Sequence, residues 1–159
     1  MGIDDLTLGG TLSRLPSDSG MPSFFHLEKT IDFSVSANSV SGADVLQVIP
    51  IPAGAFVMGA YVNAITNETS TALLGDGVDT GGYLGTFCDL NVTITYVSGS
   101  GNTVLSTTLT TTRGAYARQG GKYYPLADTL DFIPTSALNS AKVNIGMYGF
   151  MMNKPPTEA

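Results

Sequence analysis

The chain has 159 residues, of which 43% are hydrophobic and only 13% are charged, and its formal net charge is −6. This length suffices for one domain with a hydrophobic core, while the charged fraction is about half of the roughly 25% that is usual in soluble domains. The negative charge disfavours unaided binding to nucleic acid or to an anionic membrane, because both need clustered cations.

Residues 1–25 are predicted to form an extended N-terminal arm. Its apolar residues are spaced irregularly between glycines and prolines, which fits neither a long helix nor a buried strand. They are too numerous for a solvated tail, so we expect a neighbouring subunit to hold the arm. No signal peptide is visible at the N-terminus, and no apolar run reaches the roughly 20 residues that span a bilayer. The predicted partner-interface residues are Leu6, Leu8, Leu12, Leu15, Phe24 and Phe25.

The body that follows, residues 26–152, is predicted to be a single β domain, with a C-terminal tail at 153–159. Residues 29–37 alternate apolar and polar side chains, and residues 56–65 are apolar on both faces, which is typical of a central strand. We expect one helical turn at 135–141. Turn signals every 8–12 residues predict an all-β fold, an antiparallel β-sandwich or jelly roll. Further strands are predicted at 45–51, 71–74, 84–90, 91–97, 103–112, 122–126, 129–133 and 142–152, with a loop at 113–121. Alternation places Phe56, Met58, Ala60 and Val62 on one face of their strand, and Val143, Ile145, Met147 and Gly149 on one face of the last strand.

The strongest local signal is a reversal rich in glycine and aspartate between two apolar runs, at residues 75–82. Glycine adopts positive φ at little cost, and aspartate closes turns onto backbone amides. The stretch therefore predicts a tight corner between two strands. The alternative is a Ca²⁺ site made by Asp76, Asp79 and Asp89, although the ligand spacing of an EF-hand and the glycine-rich nonapeptide repeat are both missing.

Residues suited to catalysis are few, and we predict no enzyme, no catalytic residue, no metal and no cofactor. A nucleophile–base pair would have to use His26 with Cys88, and the lone cysteine is better explained by packing. A tyrosine-rich region offers four other uses: phosphate or single-strand contacts, pairing with an acidic neighbour at an interface, a solvated loop, or a sugar platform. The net charge of −6 favours the interface or the loop. Its residues are Arg113, Tyr116, Arg118, Lys122, Tyr123, Tyr124 and Asp128.

Three stretches resemble small virion proteins of tailed bacteriophages, the head decoration (cement) proteins. They are Ile-Pro-Ala-Gly at 51–54, the Gly-Asp-Gly-Val-Asp run at 75–84, and Gly-Lys-Tyr-Tyr-Pro-Leu-Ala-Asp at 121–131 with Pro134 and Thr135 after it. The resemblance covers about residues 29–150 and gives the 75–82 stretch no catalytic role. It implies a homotrimer on the outer capsid surface that binds the major capsid protein, bridges capsomers and stabilises the shell, and that is made in the bacterial host cytoplasm. The alternatives are a tail, collar or fibre-base subunit, or a carbohydrate-binding module.

Overall fold

The computed structural model describes residues 3–5, 23–90, 95–97 and 114–152, without the side chains of 3–5, 86–89 and 95–97. The described chain forms two β-sheets around one hydrophobic core, which confirms the prediction of an all-β sandwich. The predictions for Leu6, Leu8, Leu12, Leu15, Arg113, the strand at 103–112 and the tail lie outside the described residues. The elements are β1 (Ile3–Asp5), β2 (Ser23–Asp32), β3 (Val45–Ile51), β4 (Ala55–Thr66), β5 (Thr71–Gly75), β6 (Leu84–Asp89), β7 (Thr95–Val97), α1 (Ala115–Arg118), β8 (Lys122–Tyr124), β9 (Asp128–Pro134) and β10 (Lys142–Met151).

The first sheet has the strand order β1-β3-β9-β5-β6, and the second has the order β2-β10-β4-β7, with β8 also paired to β4. All pairs are antiparallel except β1 with β3. Strand β4 lies between β10 on one side and β7 and β8 on the other, so the prediction that it is central is confirmed. Among the described residues, no helix is long and apolar enough to cross a membrane.

The core lies between the sheets and follows from the period-2 alternation of the strands. On β10, Val143, Ile145 and Met147 are fully buried, and these residues were predicted to share one face. Phe33, just after β2, stacks on Phe132 of β9 with ring centroids 6.3 Å apart, which joins the two sheets. Burial of such side chains makes the main favourable contribution to the free energy of folding, about 25 cal/mol per Å² of apolar surface removed from water.

Strand β2 differs from its predicted range of 29–37, because it begins at Ser23 and ends at Asp32. Its start lies inside the predicted arm, and the boundary between residues 25 and 26 falls within the strand. Its end is set by the Asp32 carboxylate, which accepts hydrogen bonds from the Ser34 amide (3.1 Å) and the Ser34 hydroxyl (2.6 Å). Local bonds of this kind compete with the strand ladder and turn the chain.

Two predictions about helical structure were wrong, one of a helical turn and one of a loop. Residues 135–141 form no helical turn, because Leu138 instead makes a β-bridge with Val40, with N–H···O distances of 3.2 and 3.0 Å. Helix α1 lies in the region 113–121 that the sequence assigns to a loop.

The faces of β4 also differ from the prediction, which places Phe56, Met58, Ala60 and Val62 on one side. Phe56 is half-buried and Met58 is 36% exposed, whereas Ala60 and Val62 are fully buried. The pairing of β4 with β10 shifts register between Tyr148 and Gly149. An extra residue at such a bulge reverses which side chains point inward, so the first part of β4 turns Phe56 outward.

Candidate functional site

Residues 75–82 form the predicted corner between β5 and β6, and its aspartates cap backbone amides. Asp76 is fully buried, and its Oδ1 accepts hydrogen bonds from the amides of Val78 and Asp79, both at 2.9 Å. Asp79 Oδ1 accepts from the Gly81 amide at 3.1 Å. A Cβ at position 75 would overlap the Asp79 carbonyl oxygen, so this tight approach requires glycine. The prediction of a corner with capping aspartates is confirmed.

Side chains distant in sequence supply the remaining hydrogen bonds to the Asp76 carboxylate. Its Oδ2 accepts from Lys122 Nζ at 2.5 Å and from the Tyr124 hydroxyl at 2.7 Å, and its Oδ1 accepts from the Tyr116 hydroxyl at 3.0 Å. Lys122 Nζ lies 4.4 and 4.7 Å from the ring centroids of Tyr116 and Tyr124, a distance at which cation–π attraction operates. The Tyr124 hydroxyl is also 3.0 Å from that of Tyr83. We call these residues the Asp76 network; it ties the corner to α1 and β8.

The electrostatics of the Asp76 network favour a permanent ion pair. Burial acts to raise the pKa of Asp76, but the hydrogen bonds from Lys122, the Asp79 amide, Tyr124 and the Val78 amide outweigh it and hold the pKa below its ordinary value. Burial acts to lower the pKa of Lys122, and the bonds to Asp76 and Tyr116 reverse this, so that pKa is raised. A carboxylate filled by five donors neither activates a nucleophile nor has room to ligate a cation. Within the described ranges, no three His, Cys, Asp or Glu side chains are grouped as a metal site.

The structure does not bring the candidate catalytic pair together. His26 lies on the outer side of β2, whereas Cys88 belongs to β6 in the other sheet. Strand β2 contacts β3 and β6 contacts β7, so the two residues are at opposite edges of the sandwich. His26 Nε2 is instead 2.8 Å from the Tyr61 hydroxyl, which donates to Glu28 Oε2 at 2.9 Å. Burial and that carboxylate raise the pKa of Tyr61 to about 12.

The three tyrosines of the predicted sugar platform do not share an exposed face. Tyr124 is 2% exposed inside the Asp76 network, and Tyr116 packs against the core with its ring edge-to-face on Tyr83. Tyr123 alone of the three is largely exposed, at 48%. Since Lys122 points inward to Asp76, the predicted basic and aromatic patch is divided between the interior and the surface.

Four aromatic residues instead line up across the outer face of the second sheet. Register pairs Phe24 with Phe150, Phe150 with Phe56, and Phe56 with Tyr123. We call this set the aromatic row. The rings of Phe24 and Phe150 meet edge-to-face with centroids 5.7 Å apart, and Phe24 is 57% exposed. Exposed apolar side chains that are contiguous, unlike scattered ones, mark interaction surfaces.

Polar groups replace the aromatic row further along the same face. The next pairs include His26 with Tyr148 and Glu28 with Gly146, and Thr30 with Asn144 follows. Met58 and Met152 are 36% and 46% exposed. The apolar character is therefore concentrated at the end of the sheet where β2 begins and β10 ends.

Of the predicted interface residues, the structure describes the side chains of Phe24 and Phe25. Neighbours on a strand point to opposite faces, so Phe24 belongs to the aromatic row while Phe25 is 8% exposed and belongs to the core. Sequence reasoning missed Phe56 and Phe150, and it named Tyr123 as part of the tyrosine-rich region without placing it beside them. Alternation along β10 identifies Phe150 as outward-facing, but which residues lie beside it depends on the pairing of strands.

Comparisons with protein-family models and with curated proteins found no match. Among solved structures, the chain is similar to one in the capsid of Ralstonia phage GP4, with 10% identity, a TM-score of 0.57, and coverage of 96% of this chain and 99% of that one. Weaker similarities are to the acid-stable capsid structure of Helicobacter pylori bacteriophage KHP30 (13% identity, TM-score 0.48, coverage 84% and 92%) and to the cyanophage Pam1 capsid asymmetric unit (16%, 0.46, 92% and 99%). The chain therefore shares its β-sandwich fold, almost end to end, with a chain found in a phage capsid.

Proposed function

We propose that the chain is a structural, non-enzymatic virion protein that decorates the outer surface of a bacteriophage capsid and stabilises it by bridging capsomers. The observation that carries the proposal is the likeness to a chain of the GP4 capsid, which covers 96% of this chain and 99% of the other. The fold is thus matched by a separate capsid chain of about the same extent, and not by one domain of a larger subunit. A decorating protein needs a stable body and an adhesive surface, and no chemistry.

The aromatic row supplies a candidate adhesive surface toward the major capsid protein. Aromatic residues are enriched at the centres of protein interfaces, because they bury a large area with few rotatable bonds. The low charge content agrees with a surface that is covered in an assembly. Leu6, Leu8, Leu12 and Leu15 of the arm are proposed to contact a neighbouring subunit, together with Phe24.

The test uses shells of the phage that encodes the chain, stripped of this protein. We expect the wild-type chain to co-sediment with the shells and to raise the temperature at which they release DNA. A variant with Phe24→Asp and Tyr123→Asp should lose at least about tenfold in affinity, since each is an exposed apolar contact. The matched control is Val78→Asp, which changes an 82% exposed residue of the corner. Absence of wild-type binding would overturn the proposal.

The homotrimer is a second part of the proposal and depends on the resemblance to decoration proteins. Sedimentation equilibrium should give three times the chain mass of 16.5 kDa. A monomer at micromolar concentration would contradict a stable trimer in solution, and binding to shells would then have to supply the contacts between copies.

A tail, collar or fibre-base position would use the same fold and the same kind of surface. The symmetry of the position occupied in the particle separates these roles from capsid decoration. An electron cryomicroscopy reconstruction should place the chain on the icosahedral shell; density confined to the tail axis would replace decoration with the alternative.

A further inference from the structure

Strand β2 forms one edge of the second sheet. In the part of the chain that the structure describes, its ten residues pair with β10 on one side and with no strand on the other. The pairing runs from Ser23 to Asp32 in one unbroken register, and this stretch contains no proline. A long and regular edge of this kind is a template for a further strand, which proteins avoid by shortening or interrupting their edge strands.

The backbone groups presented at this edge belong to the even-numbered residues of β2. The Phe33 amide donates to the Ala141 carbonyl at 2.8 Å, so the odd-numbered residues direct their amides and carbonyls to β10, because this direction alternates along an antiparallel strand. The Asp32 carbonyl accordingly points away from β10 and accepts a hydrogen bond from Asn38 Nδ2 at 2.9 Å. The even-numbered residues from 24 to 30 therefore direct theirs outward.

The inward-facing side chains of β2 do not block the edge. Leu27 and Lys29 line one wall of an apolar groove between the sheets, of about 220 Å³, whose other wall includes residues 48–52. Lysines that project from an edge strand discourage pairing, but the Nζ atom of Lys29 is buried. Leu27 is half-buried, so a strand added at this edge would cover more of it.

The side chains of β2 are complementary to those of a second, antiparallel copy of β2. Because a ladder joins residues whose backbone groups point to each other, a twofold axis between the copies must pass through a residue. Two registers overlap all but one of the ten residues, with the axis at Leu27 or at Glu28. An axis at Leu27 sets His26 of each copy opposite Glu28 of the other, a basic beside an acidic side chain on the exposed face. An axis at Glu28 sets two carboxylates opposite each other, which is destabilising.

We propose that the chain forms a twofold dimer through the β2 edge, with Leu27 at the axis and His26 of each copy facing Glu28 of the other. The second sheets of the two copies then join into one continuous sheet, and the two Leu27 side chains cover each other beside the groove. The contact holds whether or not the chain decorates a capsid. It does not compete with the homotrimer proposed above, which would use other surfaces.

A single introduced cysteine tests both the contact and its register. In a Cys88→Ser background, oxidation should link Leu27→Cys to its counterpart, because the axis brings the two Cα atoms within the 4.4–6.8 Å that a disulfide spans. Thr30→Cys is the control: position 30 is more exposed, yet the register puts it about 20 Å from its counterpart. Non-reducing denaturing electrophoresis should show at least about tenfold more dimer for Leu27→Cys. Equal crosslinking would indicate random collisions, and no crosslinking would indicate an unpaired edge; either result overturns the proposal.

Charge substitutions give an independent test without new cysteines. In homodimers, His26→Glu sets carboxylates opposite each other and Glu28→Lys sets two basic groups opposite each other, whereas a mixed dimer sets the introduced carboxylate opposite the introduced ammonium group. Native mass spectrometry of an equal mixture should show at least about threefold more mixed dimers than homodimers, because opposite charges across a strand pair attract and like charges repel.

The matched control for the mixing experiment is Thr30→Glu with Thr30→Lys. These substitutions introduce the same charges on the same face of β2, but the proposed register does not place them opposite each other, so this pair should assort at random. Random assortment of the His26 and Glu28 variants, or a preference as strong in the Thr30 pair, would contradict the register. A mixture that contains no dimers would contradict the contact itself.

Discussion

The Asp76 network and the aromatic row each reverse the usual distribution of polar and apolar groups. The network buries a carboxylate beside an ammonium group and three tyrosine hydroxyls, whereas the row exposes aromatic rings on a sheet face. Inside, every oxygen of Asp76 already has its donors, so nothing is left for a ligand. Outside, the rings of Phe24 and Phe150 meet edge-to-face, and Phe24 is 57% exposed. The comparison teaches that the motif most conspicuous in the sequence serves the scaffold, whereas the surface that we propose for binding is one where burial is incomplete.

The largest expected effect is that of Asp76→Ala. Removing one partner of a buried ion pair costs about 3–5 kcal/mol, because Lys122 and the freed backbone amides lose their acceptor. We expect a loss near the lower end, about 3 kcal/mol, since the Lys122 side chain is 21% exposed and can reach water. Urea unfolding measures it. Asp79→Ala is the control in the same corner and should cost about 1 kcal/mol, the value of one hydrogen bond. Equal losses would refute the central role of Asp76.

The pH dependence of the same site sharpens this prediction. Because the folded-state pKa of Asp76 is lowered, its stabilisation is present above the unfolded pKa of about 3.9 and is lost as the pH falls through the folded value. The difference in unfolding free energy between wild type and Asp76→Ala should therefore be constant near neutral pH and shrink below about pH 4. A difference that is independent of pH from 7 down to 2 would argue against a charged Asp76.

Gly75→Ala should have the next largest effect and lower the free energy of unfolding by about 2–3 kcal/mol. Its Cβ would overlap backbone atoms of Asp79 and Thr80, which cannot move aside without opening the corner. Gly77→Ala is the matched control, because among the described residues a Cβ there would meet the Asp128 carboxylate oxygen at 3.9 Å, an ordinary van der Waals distance. Thermal unfolding should give a lower melting temperature for Gly75→Ala than for Gly77→Ala. Similar melting temperatures would mean that the corner tolerates a wider turn.

Asp131→Asn, unlike the substitutions above, should stabilise the protein, by about 1 kcal/mol in the free energy of unfolding at pH 7. Asp131 is 3% exposed, and burial raises its pKa; in the part of the chain that the structure describes, the Thr129 hydroxyl, at 2.7 Å, offsets some of the loss of water. A raised folded-state pKa makes stability fall as the pH rises through it, so the neutral amide should be favoured at pH 7 and the gain should vanish below about pH 4. A destabilised Asn variant at pH 7 would show an interaction of the carboxylate that this geometry lacks.

Phe24→Ala is expected to have the smallest effect on stability, about 0.5 kcal/mol, from the lost edge-to-face contact with Phe150. Phe25→Ala, one residue along, removes a core side chain and should cost about 3 kcal/mol. The two substitutions thus separate a surface role from a core role in neighbouring residues. Similar unfolding free energies would indicate that the ring of Phe24 is as buried as that of Phe25.

Local chemistry made the corner and most strands predictable. Glycine and aspartate set the reversal at residues 75–82, and alternation identified the buried face of β10, because both signals act between residues close in sequence. The start of β2 at Ser23 was missed, since prolines and glycines nearby obscure its alternation. The bulge opposite Gly149 was missed because it exists only in the pairing of two strands.

By itself, therefore, the sequence determined an all-β body, its turn at Asp76 and a net negative charge. The tertiary structure alone decided that Lys122, Tyr116 and Tyr124 converge on that aspartate from about 40 residues away, and that Phe24, Phe150, Phe56 and Tyr123 form one row. The physical reason is that side-chain direction follows from local periodicity, whereas neighbours across a sheet follow from strand order and register, which are fixed by the packing of the whole core.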